Sequence, residues 1–226
     1  PGPPSQLETP VPGTSAMRPR FSVDATLQLG DAGRPTVRLD YRLSRGELLF
    51  ERSRPAGYRA AYEVRVIFYK TKGGRQVAGD TYTRELSALS YAETRQRGDD
   101  ILDHIDFQVP SGRYRIEVAV TDLVAERTSG TAIEFEVPSA PPGLVWFSDL
   151  SLGTSGDPGR QSVGSAESLV PNPSRHYADD IVFFAATGEI VDQRADFGPD
   201  TTYHLSYGVI TEGGERITSA DTTLVR

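Results

Sequence analysis

Residues 110–122 of the chain read PSGRYRIEVAVTD, a turn followed by a run of alternating side chains. Tyr114 and every second residue after it are apolar up to Val120, whereas the residues between them are charged or small. Alternation with a period of two predicts a β-strand with one buried face and one face in contact with solvent. This stretch therefore favours a protein built from half-buried strands.

The position of Tyr114 adds a second signal. A tyrosine that enters a strand directly after a glycine turn is typical of the tyrosine corner of immunoglobulin-like sandwiches. We predict that Tyr114 is a structural anchor, with its ring in the core and its hydroxyl bonded to backbone a few residues upstream. Position 116 is isoleucine, and the chain contains no cysteine. Disulfides, iron–sulfur clusters, cysteine-ligated zinc and thiol catalysis are thereby excluded.

The same alternation recurs through the first half of the chain, with turn signals between the runs and no convincing amphipathic helix. This spacing is typical of a sandwich. We expect a bulge at Gly79 and an irregular connection over Leu86–Gly98. The strand-like runs are Phe21–Leu29, Val37–Leu43, Leu48–Phe50, Tyr58–Phe68, Gln76–Arg84, Ile105–Val109, Tyr114–Val120 and Ile133–Val137.

Composition divides the chain into four segments. Residues 1–20 hold six of the sixteen prolines and form a Pro-rich extension, and residues 21–138 form an immunoglobulin-like sandwich. Residues 139–143 contain a Pro-Pro-Gly sequence and are predicted to be a linker. Residues 144–226 show only about five strand-like runs. The predicted fold is all-β, with tandem immunoglobulin-like β-sandwiches of which the second is smaller or incomplete.

Charge limits the classes of partner. Residues 1–138 carry 19 acidic and 19 basic residues, so the net charge of −7 lies entirely in residues 139–226. Nucleic-acid binding needs a concentrated positive surface, and we therefore predict no nucleic-acid partner. No stretch approaches the ~20 apolar residues of a membrane helix, so we predict no membrane span.

Candidate catalytic residues are few. The three histidines, His104, His176 and His204, could serve a Ser-His-Asp site, but the chain has no Gly-x-Ser-x-Gly motif. Structural or surface roles are the favoured interpretation for all three. Gly73-Gly74 and Gly213-Gly214 have the sequence of hairpin turns rather than of phosphate-binding loops. We predict that the protein is not an enzyme and requires no cofactor.

Two acidic clusters, Asp99–Asp106 and Asp179-Asp180, are candidates for calcium. Calcium loops commonly alternate their ligands and add a distal glutamate, and neither cluster follows that spacing. In a strand, Asp103 and Asp106 would point to opposite faces. We interpret the first cluster as a solvated, charged strand edge and predict no metal site.

Several stretches, taken in order, resemble the bacterial GWxTD-domain family of exported proteins. The resemblance covers residues 21–226 and implies the N-terminal sandwich region, because the Gly-Trp-x-Thr-Asp motif itself is absent and the single tryptophan is Trp146. It implies an extracytoplasmic location, at the cell surface, outside the cell or in the periplasm, and no established activity. The matching stretches are Tyr58–Val64, Pro110–Asp122 with Glu126-Arg127, Phe147–Leu152, Val170–Ser174, Tyr177 and Phe183–Ile190.

These observations favour a non-enzymatic structural or assembly protein, such as a subunit of a surface fibre or envelope complex. It would associate with proteins, including itself, through its N-terminal extension and sheet edges. The alternative is a glycan- or protein-binding module of a cell-surface protein. Candidate glycan-stacking aromatics are Tyr82, Tyr91, Tyr177, Tyr207 and Trp146, although core packing is the default for such residues.

The extension could complete the sheet of a neighbouring copy, since an unfinished sheet offers unpaired backbone groups to an extended segment. The candidate contact residues are Leu7, Val11 and Met17. The alternative is that the extension lies on its own first sandwich.

Overall fold

A computed structural model of the chain describes eleven stretches of sequence. They are residues 9–10, 19–30, 34–53, 57–95, 100–139, 145–155, 169–174, 184–187, 190–192, 202–210 and 213–225.

Sixteen strands and one short helix are present in these stretches. The first nine strands are β1 (Thr9–Pro10), β2 (Phe21–Gly30), β3 (Arg34–Ser44), β4 (Glu51–Arg52), β5 (Tyr58–Lys70), β6 (Gln76–Ala88), β7 (Asp100–Phe107), β8 (Gly112–Asp122) and β9 (Arg127–Val137). The remaining strands are β10 (Val145–Phe147), β11 (Ser151–Ser155), β12 (Leu169–Pro171), β13 (Phe184–Thr187), β14 (Ile190–Asp192), β15 (Thr202–Ile210) and β16 (Arg216–Val225). A helix, α1 (Tyr91–Thr94), follows β6, and a 3-10 turn, Arg45–Glu47, follows β3.

The first nine strands form two antiparallel sheets. In one sheet the order is β1-β9-β8-β5-β4, and β6 pairs with the other side of β5. In the other sheet the order is β2-β3-β7. The all-β sandwich fold predicted from the alternation is confirmed.

The core lies between these sheets and consists of the alternating apolar residues that defined the strands. In β8 every second residue is buried from Tyr114 to Val120, as the sequence predicted. The fully buried aromatic residues Tyr41, Tyr62, Phe68 and Tyr114 fill its centre. Burial of this apolar surface is the main force that holds the sheets together.

The expected bulge at Gly79 is displaced along the hairpin. Phe68 pairs with Ala78 and Tyr69 with Gln76, so Val77 is the additional residue. Gly79 has a different requirement, because a Cβ atom there would lie 3.0 Å from the carbonyl oxygen of Val66. Strand β6 also continues to Ala88, four residues beyond the predicted end, and α1 occupies part of the predicted connection.

Contacts between residues divide the chain into two compact units. One comprises Pro1–Ala140 with Phe147–Ile190, and the other comprises Pro141–Trp146 with Val191–Arg226. The first boundary falls within the predicted linker 139–143. Residues 147–190, by contrast, group with the first unit, although the sequence placed all of 144–226 in a second domain. Independent folding of two sandwiches stays a prediction.

Each unit has further strands. The first contains the three-stranded sheet β12-β11-β13, and the second contains the hairpin β15–β16. Strands β10 and β14 pair with each other. No helix in the described stretches is both long and apolar enough to cross a bilayer.

Candidate functional site

Tyr114 has the geometry of a tyrosine corner. Its side chain is fully buried, and its hydroxyl donates a hydrogen bond to the carbonyl oxygen of Pro110, four residues upstream. The ring meets Phe68 edge-on, with the ring centroids 6.0 Å apart. Lys70 Nζ lies 5.1 Å from the centroid of the same ring. The hydroxyl thus ties the turn to the strand that follows it, and the contribution of this contact to stability stays a prediction.

The N-terminal extension is described in part. Thr9 and Pro10 pair with Ala132 and Thr131 of β9 in the same chain, which corresponds to the second of the two arrangements considered for the extension. Nearer the sandwich, Ser129 Oγ donates a hydrogen bond to the carbonyl oxygen of Pro19. The predicted contact residues Leu7, Val11 and Met17 lie outside the described residues, so their role stays a prediction.

The candidate catalytic histidines do not form a described site. His104 is exposed on β7, where its register partner is Asp40 of β3. His204 is exposed on β15, with Nδ1 3.3 Å from the hydroxyl of Thr223. His176 lies outside the described residues. The two described histidines lie on strands of different units.

The first acidic cluster is engaged by arginines. Within the described stretches, no group of three or more carboxylates and histidines is arranged to hold a metal ion. Three carboxylates of β7 instead meet guanidinium groups of β3 and β6. The pairs are Arg42–Asp100, Arg38–Asp106 and Arg84–Asp103. Asp103 is partly buried and bonds to the buried Tyr41, so it is not the solvated edge residue that the sequence predicted. Asp99 and the Asp179-Asp180 pair lie outside the described residues.

Of the candidate glycan-stacking aromatics, two side chains are described. Tyr82 is half-buried and meets Phe107 edge-on at a centroid distance of 6.5 Å. Tyr91 is 57 % exposed in α1, with its ring 6.0 Å from that of Tyr58. The two tyrosines therefore have different surroundings. The side chains of Trp146 and Tyr207, and all of Tyr177, lie outside what the structure describes.

A polar network that runs from the core to the partly exposed Arg84 lies where β6 faces β7. The hydroxyls of Tyr41 and Tyr62 lie 3.3 Å apart, and the Tyr41 hydroxyl donates a 3.0 Å hydrogen bond to Asp103. Arg84 Nε donates a second 3.0 Å bond to the same carboxylate oxygen. Asp103 therefore joins the core tyrosines to an arginine on the edge strand.

The ionisation of this network follows from its surroundings. Burial raises the pKa of Tyr41 far above its usual range, and the neighbouring Tyr62 and Asp103 raise it further. Burial also raises the pKa of Tyr62. Burial alone would raise the pKa of Asp103, but hydrogen bonds from the His104 backbone, Arg84 and Tyr41 outweigh it and lower the pKa. Around neutral pH the network thus holds two neutral phenols and one carboxylate.

Strand β6 is an edge strand with an unpaired side. It pairs with β5 along one side, and no strand or hydrogen-bonded backbone segment of the described residues lies along its other side. Its thirteen residues contain neither proline nor lysine, although the bulge at Val77 and the inward-pointing Arg84 are also features that protect sheet edges. Thr81 and Thr83 are exposed on the outer face of its sheet. Side chains of the same chain meet some backbone groups of this strand: Thr81 N–H donates to Asp80, and the carbonyl oxygens of Thr83 and Ser87 accept from Arg84 and Arg45. Pairing with another chain would replace these local bonds with main-chain bonds.

The edge of the smaller sheet that lies opposite β7 is partly covered by residues of the same chain. Strand β2 is the edge strand there, and Asp149 binds it through backbone and side chain. Leu27 N–H donates to Asp149 Oδ2 at 2.8 Å, and Asp149 N–H donates to the Leu27 carbonyl oxygen at 2.9 Å. Gln28 Nε2 adds a 3.1 Å bond to Ser151 Oγ. The carboxylate takes the place of a strand carbonyl and satisfies part of this edge.

The sequence predicted association through sheet edges but did not identify the strands that form them. The signal for β6 was present, because Gln76–Ala88 has no proline in thirteen residues, yet its edge position depends on the strand order. The role of Asp149 had no local signal, since its partner lies 122 residues away.

No protein-family model matches the chain, and no curated protein sequence matches it.

Proposed function

We propose that the chain is a non-enzymatic structural module that assembles with other protein chains by backbone pairing at its open sheet edge. The observation that carries the proposal is β6, a thirteen-residue edge strand without a partner in the described residues. Unpaired backbone groups on a long edge favour strand addition, in which main-chain hydrogen bonds supply affinity and alternate side chains supply specificity.

The interior of the sandwich supports a scaffold that holds this edge in place. Strand β5, which presents β6, lies between β6 and β8, and its alternate residues from Ala60 to Phe68 are completely buried. The Arg84–Asp103 pair joins β6 to the facing sheet. An edge that is already ordered on a packed core loses little conformational entropy on binding. The described part of the sandwich thus favours assembly over chemistry.

The resemblance to exported GWxTD-domain proteins supports an extracytoplasmic location for this assembly, in an envelope complex or a surface fibre. The absence of cysteine from the sequence is compatible with either place. Self-association through edges also needs no cofactor. The proposal therefore treats the chain as a building block rather than as a catalyst.

A charged edge tests the proposal. The double variant Thr81→Lys/Thr83→Lys places two ammonium groups on the exposed face of β6, where lysine opposes edge pairing. The control variant Thr71→Lys/Ser111→Lys adds the same charge at exposed loop positions away from the edge. Sedimentation velocity over a wide concentration range, with negative-stain images, measures association. We expect association of the parent and control chains and its loss in the edge variant; a parent chain that stays monomeric throughout overturns the proposal.

A further inference from the structure

The partner that best fits the β6 edge is a second copy of β6. We propose that two chains join β6 to β6 in antiparallel fashion about a two-fold axis at Tyr82, which forms one continuous sheet. This inference rests on the proposed assembly function and specifies its partner and register. Two-fold pairing of identical surfaces is the commonest form of protein self-association.

Geometry limits the registers that are available. A two-fold axis perpendicular to a continuous sheet keeps each side chain on its own face. Directly opposite residues of an antiparallel pair also share a face, so one residue must lie opposite its own counterpart, with the axis midway between the two copies. Strand β6 runs from Gln76 to Ala88, and its middle residue is Tyr82. An axis at Tyr82 is therefore the register in which all thirteen residues of one strand oppose those of the other.

Charge favours the same register. With the axis at Tyr82, Asp80 lies opposite Arg84 of the second copy, and Arg84 lies opposite Asp80 of the second copy. Opposite charges directly across a strand pair stabilise it, whereas like charges destabilise it. An axis at Asp80 or at Arg84 brings identical charges together, and an axis at 81 or 83 leaves both unmatched. The charge pattern thus selects one alignment and disfavours the neighbouring ones.

The remaining side chains also match. In this register Thr81 faces Thr83 of the second copy, a pair of β-branched residues that suits cross-strand contact. Tyr82 faces itself, beside the Phe107 ring that it already contacts. Gly79 faces Glu85 of the second copy, so no pair of bulky side chains meets there. Residues 79–85 of the strand are therefore self-complementary.

Arg84 is already held within its own chain, which prepares it for the pairing. Its Nε atom donates to Asp103, and its guanidinium carbon lies 5.9 Å from the centroid of the Tyr82 ring. A guanidinium group has five N–H donors, so the bond to Asp103 leaves donors for a carboxylate of a second copy. The arginine loses little side-chain freedom on association, since its position is fixed beforehand.

Disulfide cross-linking between introduced single cysteines can identify the register, because the chain has no cysteine of its own. We prepare Thr81→Cys and Thr83→Cys chains that differ in size by a tag, and oxidise each alone and as a mixture. With the axis at Tyr82, positions 81 and 83 of different copies face each other at a Cβ separation of about 5 Å, whereas 81 and 81 are about 7–8 Å apart. The mixture should give a disulfide-linked heterodimer in large excess over either homodimer.

The outcomes separate this inference from the proposed function. A Thr81→Cys or Thr83→Cys homodimer as the main product overturns the register. Association that the edge lysines abolish, without any cross-link, overturns β6 self-pairing but leaves assembly through the edge intact. A monomeric parent chain overturns both. As a second measurement, Asp80→Arg should weaken dimerisation about tenfold or more, since it places arginines opposite each other; undiminished dimerisation overturns the charge argument.

Discussion

Asp149 and Leu27 exchange two hydrogen bonds, one from the Leu27 N–H to the Asp149 carboxylate and one from the Asp149 N–H to the Leu27 carbonyl oxygen. The pair reproduces the reciprocal bonding of two strands with a side chain in place of one carbonyl. It fixes the residues after the predicted linker onto the edge of β2. Residues 147–190 group with the first unit, and this contact joins the start of that segment to β2.

Removal of the Asp149 carboxylate should loosen this attachment. In Asp149→Ala the Leu27 N–H loses its partner, which should cost about 1–2 kcal/mol of stability and speed hydrogen exchange of the Leu27 amide. Asp149→Asn retains an acceptor oxygen and serves as the matched control. Hydrogen exchange at Leu27 and thermal unfolding measure both. Equal protection of Leu27 in the alanine variant and the parent would contradict this role.

The tyrosine corner predicts a graded loss of stability. Tyr114→Phe removes the hydrogen bond to Pro110 and keeps the ring, so we expect a loss of about 1 kcal/mol. Tyr114→Ala also opens a cavity in the core, and the expected loss rises to about 3–5 kcal/mol. Urea unfolding of the two variants and the parent measures these values. Negligible losses in both variants would remove the anchor role.

Asp40 should make stability depend on pH. It is 8 % exposed on the outer face of β3, near Arg38, His104, Asp24 and Asp106, and burial raises its pKa from 3.8 to about 6. The folded state therefore holds the proton more tightly than the unfolded chain does, and this residue's contribution to stability falls as pH rises from about 4 to about 6.

The substitution Asp40→Asn tests this dependence. It removes the titration, so we expect the variant to gain about 1–2 kcal/mol over the parent at pH 7–8 and little at pH 4. Unfolding curves of both proteins from pH 4 to pH 8 give the difference, which cancels titrations elsewhere. A difference that stays constant with pH would contradict the raised pKa.

Glu126 has a left-handed backbone conformation, with φ of 53°, in the turn between β8 and β9. Glycine adopts this region without steric cost, and β-branched residues adopt it poorly. Glu126→Gly should therefore stabilise the protein by about 0.5–1 kcal/mol, and Glu126→Val should destabilise it by a similar amount. Thermal unfolding of the pair measures both signs, and a loss in the glycine variant would contradict the strain.

Deletion of residues 1–20 tests the extension. The deletion removes the pairing of Thr9–Pro10 with β9, the Ser129–Pro19 bond and the Arg20–Glu47 ion pair, so we expect a lower unfolding temperature. Arg20→Ala, which removes the ion pair alone, is the control. If both thermal stability and higher-order assembly survive the deletion, the extension is only a linker.

The core could be predicted from the sequence because alternation is a local property. Tyr114 and Ile116 of β8 are buried as their spacing required, and so is Tyr62 of β5. The position of the bulge and the end of β6 were harder to predict from the sequence, since both depend on how the strand pairs with β5.

Contacts across long sequence separations could not be predicted from local patterns. Tyr41 bonds to Asp103, which lies 62 residues further along the chain, and Leu27 bonds to Asp149, which lies 122 residues further along. The charges on which the proposed β6 register rests, Asp80 and Arg84, are visible in the sequence. They bear on association only because the strand order places β6 at a sheet edge.

The bond between Ser129 and Pro19 has a mechanical consequence. It places the start of β9 beside the start of β2, so the chain enters this sandwich at one end, by Arg20, and leaves at the other end, after Val137. Tension between those two points pulls β2 along β3 and β9 along β8, parallel to the strands. Because the inter-strand bonds stand perpendicular to the strands, all bonds of a ladder share the load rather than opening one after another. Shear between these two points is therefore resisted by whole ladders rather than by single bonds.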